Sequence, residues 1–187
     1  MFRKSLSSRG YLSNSGMRKT VACYLTALAV FLCCSNSQAI APTPLPAFSV
    51  QGLDGSTVST SAWSLKGKSL VIYLRGNCQP CTALLGRLRK KDYPQLAGHT
   101  TIIVGGVGPA DAKALQQLYP DLSAATWYVD PAKTVAGALH LQGAPVILGL
   151  QDNVVKWALS GIMQHAAQQK SILNAWCAEV KRQTKGM

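Results

Sequence analysis

The chain has 187 residues, 48% of them hydrophobic and 14% charged, with 19 Lys and Arg against 7 Asp and Glu. That is the content of one globular domain plus an appendage, with a basic surface. Of its six cysteines, Cys23, Cys33 and Cys34 fall near the front, and the three that remain are too few for a disulfide scaffold.

The appendage is N-terminal. From Met17 the sequence gives a basic start (Arg18, Lys19), an apolar run from Val21 to Cys34, and small residues around Ser37-Gln38-Ala39. This is the pattern of a signal peptide. The run is shorter than the about 20 residues of a comfortable membrane span, so a retained inner-membrane anchor is the second reading. A lipidated Cys33 or Cys34 is a third, disfavoured by the bulk of Leu32 and Cys33. Residues 1–16 are rich in Ser and Arg and read as an over-extended start, with Met17 as the alternative initiator. Removing residues 1–39 takes away Arg3, Lys4, Arg9, Arg18 and Lys19 and no acid, so the rest stays basic. The expected division is 1–39 leader, 40–47 Pro-rich linker or first edge segment, and 48–187 folded domain.

Phe48 to Val58 alternates apolar and polar around Asp54-Gly55, which predicts a β-hairpin. Trp63 and Leu65 are packing anchors in the connection that follows, and Gly67-Lys68 breaks it. Ser69 to Leu74 is a continuous apolar run, as in a strand covered on both faces. Gly76-Asn77-Cys78-Gln79-Pro80-Cys81 comes next and leads into an amphipathic helix with Leu84, Leu85 and Leu88 inward. Two cysteines three apart at a helix start share a face, within reach of a disulfide, and the helix terminus favours a thiolate there. The pair is a reactive dithiol. Arg87, Arg89, Lys90 and Lys91 end the helix and complement its negative terminus, a reading preferred to nucleic-acid contact.

Thr100 to Gly105 is a second central strand, left through Gly105-Gly106-Val107-Gly108-Pro109. That cluster lacks the Lys-Ser/Thr ending and the spacing of a phosphate loop. A helix over Ala110–Tyr119, a strand over Thr126–Asp130 and a helix from Pro131 through Leu141 follow. Gly143 to Leu150 is a strand with proline at its start, where a sheet tolerates it. Gln151-Asp152-Asn153 turns the chain into an antiparallel return over Val154–Leu159. A last helix over Gln164–Arg182 is predicted, apolar at Ala167, Ile172, Leu173, Trp176 and Val180. The fold class is α/β: a mixed central sheet flanked by helices, with an N-terminal hairpin extension.

This order, with Cys-x-Pro-Cys on the first helix and Gly143-Ala144-Pro145 before a strand, resembles the thioredoxin superfamily across roughly Phe48 to Lys181. Pro46-Ala47-Phe48, Leu53-Asp54-Gly55 and Lys66-Gly67-Lys68 are most similar to its TlpA-like periplasmic branch. The resemblance implies a periplasmic thiol–disulfide oxidoreductase without cofactor or metal. Cys78 would be the nucleophile, Cys81 the resolving cysteine, and Pro145 a cis-proline beside them. Asn77, Gln79, Pro80, Ala144 and Pro145 would meet the substrate. The implied partners are protein disulfides and a membrane thiol relay as electron donor, with no nucleic acid.

The departures from the family bear on mechanism. Asn77 replaces an aromatic, Arg75-Gly76 an apolar pair, and Ile72 the buried Asp that shuttles the resolving proton, so slow resolution is expected. Arg75 and the helix terminus lower the Cys78 pKa, which favours oxidation. Gln79-Pro80 resembles the thioredoxin dipeptide and favours reduction. Reduction is preferred, with oxidation or isomerisation as lesser readings. A peroxidase would want Thr where Arg75 stands. The alternative function is a binding or chaperone accessory of a conjugation or secretion apparatus with little redox turnover. Copper carriage on Cys78, Cys81 and His140 ranks low, and Cys177 reads as packing material.

Overall fold

In the computed structural model the described residues are 42–63, 65–88, 93, 97–163 and 165–184. The leader and the basic residues Arg89, Lys90 and Lys91 therefore lie outside them. By its internal contacts the chain divides into Met1–Ala39 and Ile40–Met187, and everything below concerns the second unit. Among the described residues no helix is long and apolar enough to cross a membrane.

Among the described residues eight strands form one mixed sheet: β1 Thr43–Pro44, β2 Ser49–Gly52, β3 Thr57–Ser59, β4 Lys68–Arg75, β5 Thr100–Gly105, β6 Thr126–Asp130, β7 Val146–Gln151 and β8 Val154–Ser160. Their order across the sheet is β1-β8-β7-β4-β5-β6-β2-β3. β4 sits near the middle, parallel to β5 from Leu70↔Thr100 to Arg75↔Gly105 and antiparallel to β7 from Lys68↔Gln151 to Tyr73↔Val146. Its unbroken apolar run is explained by burial on both faces. Leu70, Ile72 and Leu74 face one core with Leu84, Leu85, Leu88 and Leu173, while Val71 and Tyr73 face the other with Val50, Ile103 and Val135.

The predicted hairpin is present and joins the same sheet, β2 pairing with β6 through Gln51↔Val129. Its turn is fixed by the Asp54 carboxylate, which accepts from Ser56 N at 2.9 Å and Ser56 Oγ at 2.6 Å, with Gly55 at φ 85°. Those two bonds hold the Asp54 pKa below the ordinary carboxylate value.

Among the described residues four α-helices cover the sheet: α1 Gln79–Arg87, α2 Pro109–Leu118, α3 Thr134–Ala138 and α4 Ala166–Thr184. α3 is shorter than the span predicted from Pro131 to Leu141. Lys133 adopts φ 58° and the buried Asp130 carboxylate takes Thr134 N and Val135 N, so helix begins only there; His140 at φ 51° marks its other side. In α4 the inward stripe is Gln169, Leu173 and Trp176, an i, i+4, i+7 series, while Ala167 is exposed. Trp176 fastens this helix to the sheet: its indole Nε1 donates to Ser69 O at 3.2 Å, and it meets Trp157 edge-on at 5.4 Å.

Candidate active site: a dithiol facing a proline loop

Because β4, β5 and β6 are mutually parallel and β7 runs against them, one end of the sheet gathers the exits of β4–β6, the entry to β7 and the exit of β8. Cys78 stands at that end. β4 stops at Arg75, and Gly76 N donates to Gly105 O at 3.1 Å, tying the turn to the neighbouring strand. Glycine at 76 makes room for Val107, whose Cγ1 an added Cβ would overlap. Asn77 then takes φ 53°, a left-handed conformation that asparagine tolerates better than most residues.

Cys78 is the N-cap of α1. Its Sγ accepts from Cys81 N at 3.2 Å, and its carbonyl accepts from Cys81 N at 2.9 Å and Thr82 N at 3.2 Å. Pro80 occupies the first turn, where a missing N–H costs no helical bond. Cys78 and Cys81 form a disulfide with Cα atoms 5.2 Å apart. The two sulfurs differ in exposure: Cys78 is half-buried, whereas Cys81 is 2% exposed in the Ile72 and Leu74 cluster. The Arg75 backbone N–H points to Cys81 Sγ at 3.5 Å.

The second half of the site comes from 66 residues further along. Cys78 Sγ lies 3.8 Å from Ala144 O, the Ala144–Pro145 peptide is cis, and Pro145 O accepts from Gly161 N at 2.7 Å, which closes the loop against the exit of β8. Of the residues expected to meet substrate, Asn77, Gln79 and Pro80 are exposed, Ala144 is half-buried and Pro145 is buried. Ile72 is 1% exposed on the Cys81 face of β4, an apolar side chain at the position that the resemblance compares with a buried Asp. His140 is exposed. Among the described residues no three His, Cys, Asp or Glu side chains gather as metal ligands. Cys177 is half-buried on α4, where burial pushes its thiol up to about 11.

One cluster near the site escaped the sequence reading. Asp130, 2% exposed at the end of β6, accepts from Thr134 N at 2.8 Å, Thr134 Oγ1 at 3.0 Å, Val135 N at 3.0 Å and Tyr73 OH at 3.5 Å. Burial and the Asp130 charge push the Tyr73 hydroxyl up to about 12. Tyr73 OH sits beneath Gly105, where a Cβ would overlap it, and Gly105 is the residue that holds Gly76. The signal was an acid closing an apolar strand just ahead of a helix start, with a Thr four residues on.

No family model matches the sequence, and no curated protein matches it. Solved structures do. A secreted disulfide oxidoreductase of Mycobacterium tuberculosis, homologous to E. coli DsbE, aligns over 68% of this chain and 95% of its own, at 13% identity and TM-score 0.55. A thioredoxin-family thiol:disulfide interchange protein of Chlorobium tepidum aligns over 73% and 97%, at 18% identity and TM-score 0.53. DsbF of M. tuberculosis, in mixed oxidised and reduced forms, aligns over 69% and 94%, at 16% identity and TM-score 0.52. At such identities the likeness is one of architecture, and the architecture of this chain is the thioredoxin-like fold.

Proposed function

We propose that the chain is an exported thiol–disulfide oxidoreductase that reduces disulfides in periplasmic proteins. The observation that carries the reading is the Cys78–Cys81 disulfide at a helix start with Cys78 Sγ 3.8 Å from the Ala144 carbonyl. A reactive pair and a backbone edge able to hold an extended chain are thereby side by side. The solved structures named above include thiol–disulfide proteins, one of them secreted, which supports the same chemistry and compartment.

In the reduced protein the Cys81 N–H and the α1 terminus stabilise a Cys78 thiolate. That thiolate attacks one sulfur of the substrate disulfide, forming a mixed disulfide and releasing the first substrate thiolate. Cys81 then loses its proton and attacks Cys78 Sγ. The Cys78–Cys81 disulfide forms, the second substrate thiolate leaves, and two electrons have passed from protein to substrate. With Ile72 in the acid's place, the Cys81 proton goes to water or to the departing thiolate, and the resolving step is the slow one. Asn77, Gln79, Pro80, Ala144 and Pro145 border the bound chain, and a membrane thiol relay restores the dithiol.

Cys81→Ser should stall the reaction as a mixed disulfide on Cys78, recoverable from the periplasm and released by dithiothreitol. A variant that traps no partner sinks the exchange reading. Direction is decided by the reduction potential against glutathione: a value near that of DsbA, about −120 mV, would overturn reduction in favour of oxidation.

A further inference from the structure

We infer that the dithiol end selects substrate disulfides whose flanking segments carry carboxylates. The inference rests on the exchange reading above and names its substrate class. The loops beside Cys78 are residues 75–78, 106–108, 131–133 and 139–145, with Gly161 bonded to Pro145. Their charged side chains are Arg75 and Lys133, joined by His140, and their sequences contain no Asp or Glu. Arg75 and Lys133 are both exposed, and among the described residues neither has an ion-pair partner.

Lys133 lies close to the same turn. Its left-handed backbone, φ 58°, sends the side chain across Gly106, where an added Cβ would come 2.7 Å from Lys133 Cε. Gly106 follows Gly105, the residue bonded to Gly76 two positions before Cys78. The two cations thus flank the turn that carries the nucleophile. The nearby carboxylates do not cancel them. Asp130 is buried and bonded to Thr134, Val135 and Tyr73. Asp111 is exposed in the first turn of α2, where the positive helix terminus partly offsets its charge. An acidic segment docked along Ala144 would approach both cations, whereas a basic one would meet repulsion.

The expected size follows from Coulomb's law. Two carboxylates about 10 Å from two cations in water, screened at about 10 mM salt, gain about sevenfold in encounter over a neutral chain. At about 0.15 M salt the gain falls to about twofold.

The test uses the full chain, reduced with dithiothreitol and freed of it, mixed with three versions of one quenched disulfide peptide carrying two Glu, two Gln or two Lys beside the cysteine. The rate of fluorescence release should rank Glu above Gln above Lys at low salt, and the ranking should flatten at 0.5 M NaCl. Lys133→Gln should reduce the Glu-to-Gln ratio about threefold, and Lys133→Glu should lower it further. Equal rates for the three peptides, or a ratio untouched by both variants, overturns the charge preference and leaves the exchange reading standing. No reaction with any peptide overturns both.

Discussion

Removing the Asp130 carboxylate should destabilise this fold more than any other single polar change near the dithiol. Asp130→Ala strips acceptors from Thr134 N, Thr134 Oγ1 and Val135 N, all at 2.8–3.0 Å. Val135 is fully buried, so water does not readily replace the lost bond there. A buried donor left without a partner costs about 1–3 kcal/mol, and the two lost bonds to Thr134 add about 1 kcal/mol. Together about 3 kcal/mol is expected, or a fall of about 9 °C in melting temperature for a domain of this size. Thr134→Ala, which loses one of the three bonds, should cost about 1 kcal/mol, and Tyr73→Phe less, because its contact to Asp130 is already 3.5 Å long. The assay is urea unfolding of the oxidised protein followed by tryptophan fluorescence, with the m-value checked for constancy. A loss under about 1 kcal/mol for Asp130→Ala, or a larger loss for Tyr73→Phe, would refute this account of how α3 and the end of β6 are held.

Three further outcomes are expected. The raised Tyr73 hydroxyl makes stability fully present below its unfolded value of 10.0 and lost as pH climbs through about 12; Cys177 adds a similar loss between 9.0 and about 11. Tyr73→Phe with Cys177→Ala should flatten the alkaline arm of a stability–pH curve, and an unchanged arm counts against both assignments. Ile72→Asp places a proton acceptor on the Cys81 face of β4, and stopped-flow measurement of second-thiol release should show resolution at least about tenfold faster. It also loses a buried Ile, about 3 kcal/mol of apolar burial, so the comparison belongs well below the melting temperature; a folded variant with unchanged resolution would rule out proton removal as the slow step. Gly76→Ala should cost about 1–3 kcal/mol by overlap with Val107 and slow exchange by displacing Cys78. Val107→Ala should restore most of the rate, and failure of that rescue places the fault in the backbone.

The sequence made burial legible and left neighbourhood hidden. Runs such as Leu70-Val71-Ile72-Tyr73-Leu74 and Thr100–Gly105 announce strands covered on both faces, and the structure buries them so. The Cys-x-x-Cys pair is legible because its spacing and its place at a strand-to-helix turn are both local. Three things were not. The hairpin's attachment to β6 depends on pairing between segments far apart in the chain. The late start of α3 depends on a buried carboxylate and a left-handed Lys133, which outweigh the usual preference for Pro131 at a first helical position. In α4, Gln169 replaces Ala167 in the core because the helix turns to seat Leu173 and Trp176, a tertiary choice that residue type alone does not reveal.

The borders of the sheet have a consequence of their own. At one margin β1 is two residues long and includes Pro44, which has no N–H to offer; at the other β3 spans three residues. Neither end strand is long enough to template another. Because β1 reaches only Val154 and Val155, the outer edge of β8 from Lys156 to Ser160 has no strand beside it among the described residues. An extended chain added to this sheet would therefore lie along that edge, which runs up to Gly161 and the Pro145 loop.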